Sequence, residues 1–326
     1  MADANNVWVG SINDAAPATF DEERALFQKV FSGEVITAFE EFTTVLDKHQ
    51  VRTISSGKSA SFPVIGRMPA AEYHTPGAEI LGQDVLNAER VIQIEKLLIS
   101  HVFIADIDEA MKHYDVRSKY AKAMGQRLAQ TFDLNVMKQM VGCGVHDTPI
   151  TGDDTLAGAR INDPELADAA AATKLAAWIK QLYAAATALD NKYVIGPRYC
   201  FLKPENYYFL VQAVAENGFS AIHKDYGGEG SFAQGSLVSV AGIKLIPTPF
   251  LPTADYSADD FNAVNCEDVV GVVTTDASVG TVKLMDISLQ SEWDIRRQGT
   301  LMVARYAMGH GVLQPEAAVV LATTVV

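Results

Sequence analysis

Cysteine is scarce in this sequence: Cys143, Cys200 and Cys266 are the only three in 326 residues, odd in number and widely spaced. They cannot form a disulfide framework, and the count suits a reducing compartment. Basic residues are also few, 26 Lys and Arg against 40 Asp and Glu, for a net charge of −14 with no basic run. Tight nucleic-acid binders hold phosphates with clustered Lys and Arg. The acidic balance argues instead for solubility and for repulsion of polyanions. No apolar run approaches the roughly 18 residues of a membrane helix. Residues 1–20 contain Asp3 and Asp14, no basic residue and no apolar core run, unlike a secretory signal. The expectation is a soluble, intracellular chain.

What is present is ordinary folded-protein composition, 48% hydrophobic and 20% charged. The length exceeds a single compact core, so two domains, or one with large excursions, are expected. Residues 1–20 read as an extended arm whose one apolar cluster is Val7, Trp8 and Val9. Asp21, Glu22 and Glu23 open a helical pattern, interrupted at Gly33 and resumed through Leu46. Residues 51–56 and 59–65 read as strands joined by a turn at Gly57-Lys58, and 89–105 as one long strand around a loop at 69–84. A polar excursion flanked by strands, too thin for its own core, predicts a β-arm.

Residues 106–141 carry the strongest pattern. Ile107, Met111, Tyr114, Ala121, Met124, Leu128, Phe132, Val136 and Met140 share one helical face. Such a helix is on the order of 50 Å long, with Gly125 as its weak point. Residues 142–162 read as loop. Asp163 then stands as N-cap with Pro164 at the first helical position of a helix whose apolar face is Leu175, Trp178, Ile179, Leu182, Tyr183 and Leu189. Further expectations are a strand at 198–202, a helix at 204–215 ended by Asn217-Gly218, strands at 237–245, 269–274, 279–289 and 300–306, and a small apolar tail at 317–326. The order is that of an α+β protein without internal repeats.

Chemistry-bearing patterns are weak. Gly57-Lys58-Ser59 suggests a phosphate loop, but that loop needs a glycine five positions before Gly57, where Arg52 stands, and a helix must follow. A plain turn is the better reading. Cys143 and His146 have metal-compatible spacing in a loop, without the further ligands zinc requires; surface loop is preferred, with Asp147, Asp153 and Asp154 as solvated acids. His310, between Gly309 and Gly311, suits a sharp turn in which the ring caps backbone. Asp286 and Ser288 establish no triad, and Glu40 and Glu41 point to different sides of a helix. No catalytic residue, cofactor or metal is expected.

Several ordered blocks carry a resemblance. They are Leu26-Phe27, Lys29-Val30-Phe31, Gly33-Glu34-Val35, Val51-Arg52, Ser55 through Ala60, Phe62-Pro63-Val64 and His113 through Ser118. Nearer the C-terminus come Val279 through Leu284 with Asp286, Arg305 through Gly311, and Pro315-Glu316-Ala317-Ala318. Together these resemble the major capsid proteins of autographivirus-type short-tailed double-stranded DNA bacteriophages. The pattern departs at Val312 and Gln314, where glycine and arginine are more familiar, and 162–257 resembles the family mainly in layout.

The resemblance implies the Hong Kong 97-type capsid fold, with an N-terminal arm (1–49), an extended β-loop (50–104), a peripheral domain with its spine helix (105–164), an axial domain (165–280) and C-terminal strands returning to the periphery (281–326). It implies a non-enzymatic subunit of the virion capsid, forming pentamers and hexamers in an icosahedral shell. That shell would assemble in the host cytoplasm on a scaffolding protein, carry a portal at one vertex, expand from a procapsid, and enclose double-stranded DNA without sequence-specific binding or membrane contact. Covalent Lys–Asn cross-links are not expected. Candidate inter-subunit contacts are Trp8, Arg52, Lys58 and Arg67. An encapsulin-type compartment, which closes without a scaffold, is the alternative within the fold; a nucleotide-dependent enzyme using Lys58, which calorimetry with ATP would reveal, is the alternative outside it.

Arg52, Lys58 and Arg67 give the first half of the β-loop a local positive charge in an acidic protein. Each exposed ion pair is worth only about 0–1 kcal/mol, yet it recurs at every subunit of a closed lattice. Converting all three to Glu should leave melting and circular dichroism unchanged while shell yield collapses, most severely at low ionic strength. Normal shells from the triple variant would defeat the assignment, and an unfolded subunit would show that these residues serve the fold.

Overall fold

A computed structural model describes residues 33–65, 71–77, 79–82, 85, 87–111, 116–146, 157–168, 170–216, 230–231, 236–237 and 239–323. The arm with Trp8, the helix predicted from Asp21, the stop at Asn217-Gly218, and Arg67, Tyr114, Asp147, Asp153 and Asp154 lie outside them. In chain order the elements are α1 (33–42), β1 (Gln50–Thr53), β2 (Ser59–Ile65), β3 (Asn87–Gln93), β4 (Leu98–Ala105), α2 (Asp106–Met111), α3 (Val116–Val145), β5 (Ala159–Asn162), α4 (Ala171–Asn191), β6 (Arg198–Leu202) and α5 (Pro204–Glu216). Then come β7 (Gly230–Ser231), β8 (Ser236–Leu237), β9 (Ser239–Val240), β10 (Ile243–Pro247), β11 (Val269–Thr275), β12 (Val279–Asp294), β13 (Gly299–Val312) and β14 (Ala318–Ala322). The mixture is α+β. The chain divides into two compact units, one of residues 1–43, 96–132 and 285–308, the other of 44–95, 133–284 and 309–326.

In the first unit β4 pairs antiparallel with β13, Ala105 opposite Gly299 and Leu98 opposite Tyr306. Tyr306 joins Phe39 and Phe132 in a buried aromatic cluster with ring centroids 5.5–6.3 Å apart. Each ring removes well over 100 Å² from water, and losing Phe132 to Ala should cost about 3–5 kcal/mol. Ser118 donates to Glu34 at 2.9 Å, and the Trp293 indole donates to Asp106 at 2.8 Å.

The second unit is built on a six-stranded sheet in the order β5-β14-β11-β6-β10-β9. β11 runs antiparallel to both β6 and β14, whereas β10 is parallel to β6 and β5 to β14. Trp178, Leu182 and Leu189 of α4 and Leu210 of α5 pack into one core with Cys200, Leu202, Leu245, Val273 and Leu321. The expected apolar tail is therefore corrected: Ala318–Ala322 is a fully buried strand flanked on both sides. A short run without alternation fits a strand that finds no water on either face.

Other sequence expectations are corrected by partners far away in the chain. α3 runs on to Val145, through residues read as loop, because glycine at 142 and 144 admits close neighbours. A Cβ at Gly144 would stand 2.5 Å from a Val320 methyl, and one at Gly142 3.0 Å from Val264. Ala121, Met124, Leu128, Phe132, Val136 and Met140 are buried as the helical face requires, whereas Ile107 and Met111, on α2, are exposed. Asp163 does cap, accepting from Glu165 N at 3.0 Å, but it caps a 3₁₀ turn, Pro164–Ala167, and α4 begins only at Ala171. On α4, Tyr183 is exposed. Residues 237–245 are several short strands, not one, with a turn at Ala241-Gly242.

Gly125 does not weaken α3. A Cβ there would lie 2.5 Å from the Val35 carbonyl oxygen and 3.0 Å from Ala38 Cβ, so α1 crosses α3 at backbone contact. Glycine-to-alanine inside a helix ordinarily stabilises by up to about 1 kcal/mol. Here Gly125→Ala should instead destabilise by about 1–3 kcal/mol as the helices separate, read as a lowered Tm. A raised Tm would show that the two helices are not in backbone contact.

Candidate assembly surface

β2 and β3 form a hairpin, Ser59 opposite Gln93 and Ile65 opposite Asn87. This corrects the expected pairing: β1 does not turn back onto β2 at Gly57-Lys58 but pairs parallel with β12, Gln50 opposite Gly280. Gly57, with φ +112°, turns the chain from one sheet into another. The single strand expected at 89–105 is likewise two, broken between Gln93 and Leu98. Neither partner choice is local, because an exposed apolar-polar alternation specifies a face and not which strand pairs with it.

The hairpin is rooted by burial. Ala60 and Ile92, opposite one another, pack with Val282 and Leu313, and Phe62 and Ile94 close the cluster. Gly309 and Gly311 let the root come close: a Cβ on Gly309 would collide with the Gln93 carbonyl oxygen, and one on Gly311 would sit 2.9 Å from Ile92. Arg90 Nε donates to the Val312 carbonyl oxygen at 3.1 Å. Beyond the root, the loop presents apolar side chains to solvent: Tyr73 is fully exposed, Ile80 79% and Leu81 76%. A group of large apolar side chains left wet is a candidate contact surface.

Of the candidate contact residues, the structure brings Arg52 and Lys58 to the start of the hairpin. Arg52 is engaged inside its own subunit, donating to the Ser61 carbonyl oxygen with its guanidinium 5.8 Å from the Phe62 ring centre. Lys58 is exposed, and its carbonyl oxygen accepts from Ile94 N at 2.8 Å. Trp8 and Arg67 lie outside the described residues. The sequence reading did not single out Tyr73, Ile80 and Leu81, apolar side chains without periodicity in a loop that also holds Pro76, Gly77 and Gly82.

The patterns that hinted at chemistry resolve into packing. Gly57-Lys58-Ser59 leads into a strand and not a helix. Cys143 lies inside α3, fully buried, its thiol donating to the Gln314 carbonyl oxygen at 3.1 Å, and burial pushes its pKa up. The surface-loop reading of Cys143 is thus corrected. Among the described residues, no group of three His, Cys, Asp or Glu is arranged to hold a metal, and no helix is long and apolar enough to cross a membrane. His310 is not in a turn but within β13, buried, with Nδ1 2.9 Å from the Thr281 hydroxyl. Its flanking glycines serve the close approach of the hairpin.

Comparison with known proteins agrees with this architecture. A family model described as Gp10A-like, major capsid protein, matches residues 61–322. The major capsid protein of Escherichia phage T7 is 34% identical over 322 residues, covering 91% of either chain. A chain in the capsid structure of the cyanophage P-SCSP1u superposes with a TM-score of 0.75 at 37% identity, covering 99% of each. A chain of the mature capsid of bacteriophage PhiM1 superposes at 0.70 with 14% identity over 87% of this chain and 88% of its own, a likeness of fold alone. The shared fold is the Hong Kong 97-type.

Burial lowers the pKa of His310 from 6.5 to about 3, with a smaller contribution from His49 nearby. Because the unfolded chain takes up that proton first, His310 contributes stability that is complete above pH 6.5 and is lost as pH falls towards about 3. Between pH 7.5 and 5 the loss is about 2 kcal/mol. Asp133, raised by burial to about 6 despite two hydrogen bonds from Thr44, works in the opposite direction over that interval. Comparing wild type with His310→Gln cancels it. Urea unfolding at the two pH values should show a smaller difference for the variant; equal differences would mean the ring is solvated.

Proposed function

The chain belongs to the Gp10A-like family of major capsid proteins, and on that premise we propose that copies of it tile, as pentamers and hexamers, an icosahedral shell around a double-stranded DNA genome. The role is structural, and the subunit is part of the virion capsid. Assembly proceeds on a scaffolding protein in the host cytoplasm, through a procapsid that expands, with a portal replacing one vertex. The domain boundaries named above go with this reading. The six-stranded sheet with α4 and α5 supports an axial domain, α3 a spine, and the β2–β3 hairpin the extended β-loop. The charge of −14 suits enclosure of DNA without adhesion to it.

The observation that carries the reading is the loop at 71–82, whose Tyr73, Ile80 and Leu81 are wet in the single subunit. An apolar tip on a hairpin gains stability only when something covers it, and a second copy is always at hand in a lattice. Lys58, exposed at the base of the same hairpin, offers a charge for acidic groups of that neighbour, whereas Arg52 already serves its own subunit, so the unchanged melting expected of the triple Glu variant is corrected to a lowered Tm from its Arg52 change.

Electron microscopy of the protein expressed with a scaffolding protein should show closed shells, and expression alone should not give the uniform shells of an encapsulin. Replacing Tyr73, Ile80 and Leu81 together by Ser should leave the subunit's Tm within about 2 °C and abolish closure. Absence of shells from the wild-type chain with its scaffold would overturn the proposal; shells from the triple-Ser variant would remove the tip from it.

A further inference from the structure

At the hairpin root, β3 ends at Gln93 and the chain passes through Glu95, a half-buried carboxylate. Burial raises its pKa, and the hydrogen bonds it accepts from Asn262 and from the backbone N–H of His310 oppose that rise. Asn262 makes two bonds at once. Its Nδ2 donates to Glu95 Oε1 at 2.8 Å, and its Oδ1 accepts from Gln139 Nε2 of α3 at 2.7 Å. The residue is buried and holds a left-handed backbone, φ +58°, tolerated by Asn and Gly but strained for most side chains.

The loop that presents Asn262 is itself pinned to the same helix. Lys138 is almost fully buried, donates to Asp259 at 2.8 Å and lies 3.8 Å from the Tyr256 ring centre. Two successive residues of α3, Lys138 and Gln139, thus hold one loop, and that loop holds the hairpin root. The apolar cluster of Ala60, Ile92, Val282 and Leu313 secures the root without regard to angle, since apolar burial is non-directional. Hydrogen bonds, such as the two that Asn262 makes, do depend on angle.

We infer that Asn262 is a latch: by tying Glu95 to Gln139 it fixes the direction in which the β2–β3 arm leaves its subunit, and so the geometry with which copies join. The inference rests on the shell-building reading, because arm direction has consequences only where the arm meets another copy. Asn262 is a positioning residue for assembly.

The probe is Asn262→Gly, which keeps the left-handed backbone and deletes both hydrogen bonds. Asn262→Ala adds strain and serves as a comparison, and Glu95→Gln keeps an acceptor oxygen while removing the charge. Hydrogen exchange on the unassembled full chain should be about tenfold faster at amides of 59–65 and 87–93 in N262G, with β11 and β14 unchanged. With scaffolding protein, N262G should give about tenfold fewer closed shells, or shells of mixed curvature, and E95Q should lie between it and the wild type. Unchanged exchange at the root, or wild-type shells in wild-type yield, would overturn the latch, as would loss of protection throughout β11 and β14. If the wild type itself forms no shells, the shell reading fails while the exchange comparison still decides the latch.

Discussion

The root of the hairpin lies on β13 with backbone nearly touching backbone, and this contact organises much of the molecule. Gly309 and Gly311 have no Cβ where Gln93, Ile94 and Ile92 come to rest. His310 between them turns its ring into the interior towards Thr281, where it stays neutral. One short segment thus combines a close approach, a buried hydrogen bond and the seat of the arm. Any side chain at Gly309 would have to displace main chain, which close-packed interiors resist.

Close approach without side chains recurs where elements cross. α1 meets α3 at Gly125, and Val320 of β14, a strand flanked on both sides, meets α3 at Gly144. Each glycine costs helix propensity, which tertiary contact must offset. These are the positions where a local reading goes astray, because glycine inside a helix and glycine ending one look alike in sequence. The buried groups of α3 follow the same logic. Lys138 and Asp133, unfavourable inside a protein when alone, are paired with Asp259 and held by Thr44.

A subunit of this kind divides its stability. The core under α4 and α5, with Trp178 and the five buried residues of β14, is complete within one chain. The loop carrying Tyr73, Ile80 and Leu81 is not, since those side chains remain in water. The apolar surface buried in the core is therefore distinct from the apolar surface left exposed on the loop. The polar links at Glu95 and Asn262 stand where one surface gives way to the other.

Much was legible in the residues alone. The period of Ala121, Met124, Leu128 and Phe132 marks a helix face, the short apolar run at 198–202 between Pro197 and Pro204 a strand, and the ordered blocks from Leu26 to Ala318 a family, because local patterning and motif order need no partner to be recognised. Which strands pair was not legible. β1 joins β12 more than two hundred residues away, and the break between Gln93 and Leu98 follows from what each half packs against. The apolar stretch at 317–326 gave no hint that Ala318–Ala322 within it runs between β5 and β11, since a buried strand and a loose tail of Val and Ala have the same composition. Sequence determined periodicity, charge and kinship; only tertiary contact decided register, burial and the role of each glycine, because those depend on atoms brought together from distant parts of the chain.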